Sequence, residues 1–233
     1  MLKQLTNKFV AAVPMYNIES YIEDCLTSIF DQDYDDVGVI LRDDMSTDGT
    51  CKVIEDIIGI DGKTKQQTTY NGRDIIFIQN ERKLNAGGNV YESAMDFVPD
   101  ESVVGVVDGD DYLCKSYSIS RIMEEYDDPN IWLVWSQHRL AGQNNIAGMS
   151  KDLPGDDVIY SSRQYWSVSH FRTNKKWLFN HIAKEELIDP NNKETYFEVC
   201  GDAAYIFPIT EMSGNEHAKF VPEVLYHLSL IHI

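Results

Sequence analysis

Asp108, Asp110 and Asp111 stand around a single glycine, directly after the apolar run Val103-Val104-Gly105-Val106-Val107. Three carboxylates this close repel one another, so one must take up a proton or a cation must hold them ionised. A hard divalent ion suits the position: magnesium is usually held by one or two protein carboxylates and by substrate phosphate oxygens, with waters on its remaining positions. The competing reading is a plain acidic turn, as at Asp35-Asp36, Asp127-Asp128 and Asp156-Asp157, because Asp-Gly is a common turn pair. The uncharged run itself suits a strand buried on both faces of a parallel sheet, and ligands of open α/β sheets bind beyond the carboxyl ends of such strands. The acids then lie where a ligand would.

The elements that must position them alternate. Phe9 to Val13 predicts a first strand, stopped in a loop by Pro14-Met15-Tyr16-Asn17. A helix follows, with Asn17 as its cap, Glu19 and Glu23 at its positive end, and Ile22, Cys25, Leu26, Ile29 and Phe30 along one face. Val37 to Leu41 predicts the next strand, which ends in Arg42-Asp43-Asp44-Met45-Ser46-Thr47-Asp48-Gly49-Thr50 before a helix marked by Val53, Ile54, Ile57 and Ile58. This alternation implies a parallel, right-handed, doubly wound arrangement. Gly59 to Arg73 is polar and aperiodic and reads as a surface loop. Asp74 to Gln79 is a further strand, and Asn80 to Asn89 leads into a helix with Val90, Ala94, Phe97 and Val98 on its apolar face.

After the acidic turn come a helix faced by Ile119, Ile122, Met123 and Tyr126, and a strand from Ile131 to Trp135. Gln137 to Asp157 is polar and irregular. Tyr160, Tyr165, Trp166, Phe171 and Trp177 then concentrate aromatic rings, which either stack on a sugar or pack the second half onto the sheet. Ala203 to Met212 reads as a helix interrupted or started by Pro208, and Phe220-Val221 and Val224-Leu225-Tyr226 as late strand pieces.

The 233 residues, 43% of them hydrophobic, suffice for one large core and hence one domain. With 20 basic and 38 acidic residues the formal charge is −18, which argues against a nucleic-acid-binding face and against attraction to anionic membrane. An anionic substrate needs local compensation, which a metal supplies. Cys25, Cys51, Cys114 and Cys200 form no Cys-x-x-Cys pair and read as free thiols of a reducing compartment. No signal-peptide core opens the chain, and no run approaches the roughly 20 apolar residues of a membrane span, so the expected location is cytoplasmic.

Four strand ends thus carry polar loops in order: Val13-Pro14-Met15-Tyr16-Asn17, Asp43-Asp44-Met45-Ser46-Thr47-Asp48-Gly49-Thr50, Asn85-Ala86-Gly87-Gly88-Asn89 and Asp108-Gly109-Asp110-Asp111. Together they resemble the inverting, metal-dependent nucleotide-sugar glycosyltransferases of the GT-A fold, family two in particular. The P-x-Y-N, D-D-x-S-x-D-G-T and D-x-D elements are each weak alone; their order at successive strand ends is specific. More loosely, Ser169-His170-Phe171-Arg172-Thr173, Gly201 to Pro208, Glu211 to Gly214 and Val221 to Tyr226 look like the acceptor half of a family-two subgroup.

The resemblance implies an α/β, Rossmann-like, mostly parallel sheet flanked by helices with a smaller acceptor-side C-terminal region. Residues 1–115 would form the donor half, and 116–233 the acceptor-binding and catalytic-base half of the same domain. It implies that Pro14, Tyr16 and Asn17 shape the nucleobase pocket, that Asp44 accepts from a base N–H, and that Asn85 belongs to the nucleotide site. The bland reading of Asp44 is helix capping together with Asp43 and Ser46. Asp108 would approach the ribose or the metal shell, and Asp110 would hold Mn²⁺ or Mg²⁺ against the diphosphate. Asp202 would be the catalytic base, standing alone because the family's usual Glu-Asp pair is Gly201-Asp202 here. His170 and Arg172 are candidates for acceptor or diphosphate contacts, and His227 and His232 for a late metal ligand.

The implied donor is a nucleotide sugar, UDP-sugar favoured with GDP and dTDP sugars open, and the implied acceptor a hydroxyl on a glycan or glycoprotein. Gly201 in place of an acid keeps alive a catalytically silent, sugar-nucleotide-binding scaffold module. A nucleotidylyltransferase would carry a glycine-rich phosphate loop after its first strand, which Ala11 to Tyr16 lacks.

Overall fold

The computed structural model describes residues 2–62, 64–140, 150–153, 163 and 166–229. The chain opens with β1 (Phe9–Met15), α1 (Ile22–Phe30), β2 (Val37–Asp43), α2 (Thr50–Ile58), β3 (Lys65–Tyr70) and β4 (Arg73–Gln79). It continues through α3 (Asn85–Phe97), β5 (Val103–Val106), β6 (Tyr112–Leu113), α4 (Ser118–Glu125) and β7 (Leu133–Leu140). After β8 (Arg172–Lys175) and two 3₁₀ turns come α5 (Gly201–Ser213) and β9 (Ala218–Leu228).

Alternation along β1 sets the layers, because successive strand side chains face opposite sides of a sheet. Phe9, Ala11, Val13 and Met15 join one core with the apolar faces of α1, α2 and α4. Val10 and Ala12 join a second core with α3 and α5. Strands covered on both faces can afford no charge, which is why β1, β5 and most of β2 read as unbroken apolar runs. The sheet order is β3-β4-β2-β1-β5-β8-β7-β9-β6. The central ladder β4-β2-β1-β5 is parallel, and β8 joins β5 antiparallel, so the later elements extend the same sheet. The described residues contain no helix long and apolar enough to cross a membrane.

Several local expectations are corrected. The stretch read as a loop from Gly59 to Arg73 contains β3, which pairs antiparallel with β4 through a turn at Asn71 and Gly72. Both turn residues have positive φ (48° and 75°), the conformation that a two-residue hairpin needs and that Asn-Gly supplies. Asn17 does not cap α1, whose cap position is Tyr21. Its N–H donates to Ser46 Oγ (2.8 Å) and its Oδ1 accepts from the Thr47 N–H (2.8 Å), tying the loop after β1 to the loop after β2. α3 begins at Asn85 itself, so the Asn85–Asn89 motif is its first turn rather than a lead-in. α5 runs through Pro208, and the two late strand pieces are one strand, β9, whose register against β7 slips beside Pro222 and Glu223. The described aromatic residues of the second half pack: Phe171 is buried against Tyr226, Trp166 meets Phe207 edge-on, and Trp177 meets Trp132. Tyr160, Tyr165, Asp156-Asp157, His232 and most of the Gln137–Asp157 stretch lie outside the described residues.

Candidate active site

A cleft of about 570 Å³ opens at the carboxyl ends of β1, β2 and β5 and is closed on its other side by the first turn of α5. Pro14, Tyr16, Asp44, Asn85, Asp108, Asp110, His170, Arg172 and Asp202 all line it, so nine side chains singled out in the sequence meet in one place. Asn17 is not among them, being taken up in the loop tie described above.

The acidic turn is held by hydrogen bonds from β9. The Asp111 N–H donates to the Asp108 carbonyl (2.9 Å), which folds the turn back on itself. Tyr226 Oη accepts from the Asp108 N–H (3.1 Å) and donates to Asp111 Oδ2 (2.7 Å), while the Ser229 N–H donates to Asp111 Oδ1 (2.6 Å). Asp111 is buried, and burial, followed by the charges of Asp108 and Asp110, pushes its carboxyl well above the usual carboxylate range. Across from it, His170 Nε2 lies 3.2 Å from Asp108 Oδ2. Burial, and next the Arg172 charge, lowers the basicity of His170, which favours the neutral imidazole that can ligate a metal.

Ligand atoms of Asp108, Asp111 and His170 all lie within 4.8 Å of one another. Two carboxyl groups and one neutral imidazole fit a divalent cation, which would offset the burial and the neighbouring negative charges that oppose ionisation of Asp111. The cluster differs from the sequence expectation: Asp110 lines the cleft but does not join it, because the turn brings Asp111 rather than Asp110 back toward Asp108. His227 does not join it either. Its ring stacks on Tyr112 at 4.7 Å and its Nδ1 lies 2.8 Å from Tyr112 Oη, as the β6–β9 pairing requires.

Asp44 is almost fully buried, and its carboxylate serves the start of α3. Oδ1 accepts from the Leu84 N–H (2.8 Å) and from Asn80 Nδ2 (2.9 Å), and Oδ2 from the Asn85 N–H (2.9 Å). A carboxylate at a helix N-terminus satisfies donors that lack an intrahelical partner and matches the positive end of the helix dipole. Asp44 thus caps α3, while Asp43 serves the Ser46 N–H (3.1 Å). Asn85, at φ 59°, turns its side-chain amide away to the Tyr196 carbonyl (2.9 Å). Lys83 went unnoticed in the sequence although it lies two residues before that motif: its Nζ sits 2.9 Å above the centroid of the Tyr16 ring and 3.6 Å from Asp44 Oδ2. Glu198 and Cys200 also line the cleft, and nothing in their spacing announced them.

On the α5 side of the cleft, Arg172 is buried in β8 with its Nη1 3.0 Å from Asp202 Oδ2. That distance makes an ion pair, but the approach is out of line for a hydrogen bond, and Nε has no acceptor among the described residues. Burial works against the guanidinium charge, yet Tyr205, Asp202, Asp108 and Tyr226 around it hold it protonated more firmly than usual. Arg172 is therefore the counterion of Asp202 before it is anything to a substrate. The other oxygen of Asp202, Oδ1, accepts from the Ala203 N–H (2.9 Å) in the first turn of α5.

The missing acid at position 201 has a packing context. A Cβ on Gly87 would fall 2.4 Å from the Gly201 carbonyl oxygen, and one on Gly201 would fall 3.3 Å from the Gly87 nitrogen. The first turns of α3 and α5 touch backbone to backbone there. Beside the contact, the Tyr196 ring covers Gly88, and its Oη donates to Glu92 Oε1 (2.9 Å), a carboxylate also paired with Arg42 (2.9 Å).

The family model for glycosyl transferase family 2 matches residues 11–210, a span that includes every cleft residue from Pro14 to Asp202. The "Uncharacterized glycosyltransferase EpsJ" of Bacillus subtilis (strain 168) is 29% identical over 216 residues, which are 92% of this chain and 58% of that protein. Among solved structures, S. aureus TarS 1-349 in complex with UDP is similar with a TM-score of 0.67 at 20% identity, over 96% of this chain and 60% of that one. The mannosyltransferase PcManGT from Pyrobaculum calidifontis, in complex with GDP-Man and Mn²⁺, gives a TM-score of 0.64 at 16% identity, over 97% of this chain and 59% of that one. At such identities the structural likeness is one of fold. The chain spans about three fifths of the length of these relatives.

Proposed function

The chain belongs to glycosyl transferase family 2, and from that premise we propose that it transfers a sugar from a nucleoside-diphosphate sugar to an acceptor hydroxyl with inversion at the anomeric carbon. The observation that carries this reading is the convergence of Asp202 and its arginine on the same cleft as the acidic turn, Tyr16 and Asp44. A base, an acidic turn and an aromatic nucleotide pocket in one cleft are what a single displacement needs.

The residues divide the work. Tyr16 is half exposed at the cleft and offers a ring face to a nucleobase, with Pro14 forming the wall beside it. Asp44 and Asn85 hold the start of α3 against that pocket. A divalent cation would be held by Asp108, Asp111 and His170, with Asp110 facing the same space, and as a Lewis acid it would offset the charge that builds on the departing diphosphate. The two carboxylates suit Mn²⁺ or Mg²⁺. Asp202 takes the proton of the acceptor hydroxyl as that oxygen attacks the anomeric carbon from the face opposite the leaving group. Arg172, in an ion pair with Asp202 at 3.0 Å, holds that carboxylate in place for the transfer.

UDP-sugar is the favoured donor: an acceptor-only carboxylate beside the pocket suits the imide N–H of uracil, and the similar TarS structure holds UDP. A glycan hydroxyl is the favoured acceptor. Calorimetric titration with UDP, GDP and dTDP, each with and without Mn²⁺, tests the reading. Micromolar binding of one nucleotide that requires both Mn²⁺ and Asp108, judged on Asp108→Asn, is the expected result. Failure of folded protein to bind any of the three would overturn it.

A further inference from the structure

The side chain of Asn85 turns from the head of α3 toward the chain that leads into α5. Its Nδ2 donates to the Tyr196 carbonyl (2.9 Å), and Tyr196 stands six positions ahead of Asp202. Asn85 is itself held from the other side: its N–H donates to Asp44 Oδ2 (2.9 Å), and its φ of 59° is a left-handed conformation that asparagine tolerates better than most side chains. Tyr196 is 1% exposed and takes two more contacts from α3, its ring against Gly88 and its Oη on Glu92 Oε1 (2.9 Å). Further along, Gly201 meets the Gly87 backbone. The segment from Tyr196 to Gly201 is thus moored at both ends to α3, while Glu198, Val199 and Cys200 in its middle are exposed and leave the placing of α5 to those moorings.

We propose that Asn85 is a positioning residue for the base: through the Tyr196 carbonyl it sets where Asp202 stands relative to the donor, and its side chain does not hold the nucleotide. The inference rests on the reading of Asp202 as the base and adds to it the residue that places it. Asp44 fixes the first turn of α3 through backbone N–H groups, and Asn85 passes that placement on through its amide, so the donor pocket and the base are both located from one turn of helix. Loss of the amide frees one mooring of the segment. A base displaced by about 1 Å costs about a hundredfold in rate, because proton transfer needs the acceptor hydroxyl within hydrogen-bond reach.

Asn85→Gly deletes the amide and keeps the left-handed backbone accessible, whereas Asn85→Asp keeps the shape but sets an acceptor against the Tyr196 carbonyl. Each is made alone and together with Asp202→Asn, with melting curves to establish folding. Calorimetry with UDP, GDP and dTDP in the presence of Mn²⁺ reads the nucleotide site, and release of nucleoside diphosphate from UDP-, GDP- and dTDP-hexoses reads turnover. Both single variants should bind nucleotide as the wild type does and turn over about ten- to a hundredfold more slowly. Neither should slow turnover further in the Asp202→Asn background, because a base that is gone cannot be misplaced. An equal loss with and without the Asp202 carboxylate would overturn the inference. Weaker nucleotide binding that accounts for the whole loss would do the same, as would turnover at the wild-type rate. Should one variant fail to fold, the other decides. A wild type that releases nucleoside diphosphate from none of the donors, or an Asp202→Asn that turns over as fast as the wild type, would overturn the functional reading itself, an outcome distinct from these.

Discussion

Asp202→Asn separates chemistry from structure at the cleft. The substitution preserves size and one acceptor oxygen but removes the charge and the ability to take a proton. If Asp202 is the general base, turnover should fall by about 10²–10⁴-fold, or about 3–5 kcal/mol of transition-state stabilisation. Stability should suffer less. Removing one partner of a fully buried pair costs about 3–5 kcal/mol, but Asp202 is 32% exposed, so solvent screens much of what is lost. About 1–2 kcal/mol remains, a fall in melting temperature of about 2–8 °C for a chain of this size. Release of nucleoside diphosphate from the sugar donor reads the rate, with an acceptor or with water in its place, since the same base activates both. Donor affinity, read by calorimetry, should stay near the wild-type value. A variant that melts lower but turns over within about tenfold of the wild type would refute the assignment. Asp202 would then be a counterion for Arg172 and a cap for α5, and no more.

The metal cluster makes a second claim that needs no turnover. Saturating Mn²⁺ at about a hundred times its dissociation constant should stabilise the protein by about 2.7 kcal/mol, raising the melting temperature by about 5–10 °C. His170→Ala should abolish that rise and His227→Ala should keep it; the reverse would place the metal beside β6 instead. Gly87→Ala should lower the melting temperature by about 2–12 °C, because its Cβ meets a backbone oxygen rather than a side chain that can turn away. A neutral result in the same scan would mean that α3 and α5 separate more easily than their contact implies.

Much of the first half was legible because its chemistry is local. Each strand end is followed at once by the polar residues it presents, so the loops that meet in the cleft stand out one after another along the chain. What failed were cases in which a residue's partner is remote in sequence. Asn17 has the composition of a helix cap, but Ser46 and Thr47 claim it across the gap between two loops. Arg172 lies far ahead of α5 in the chain, and nothing near it in sequence tells that Asp202 is its partner. The sequence favoured Asp110 over Asp111 as a metal ligand, and the hydrogen bonds that Tyr226 and Ser229 give Asp111 come from the far end of the chain. The strand β3 is polar because it lies at the sheet edge with alternating exposure, so the hydrophobic period was absent. Its Asn71-Gly72 turn was the available signal. Lys83 carried no signal beyond its place beside a motif, since a lysine at a loop reads as surface until the tyrosine it covers is known.

The contact between Gly87 and Gly201 ties together two positions that are remote along the chain. Neither glycine can be exchanged as though the other were absent, so the pair should be inherited as a unit and should drift as one. An engineer who wished to restore the acid before Asp202 would find that Gly201→Glu must first move α5 by a few tenths of an ångström, and the base would move with it. The second carboxylate and the present placement of the first are alternatives built into the same backbone crossing.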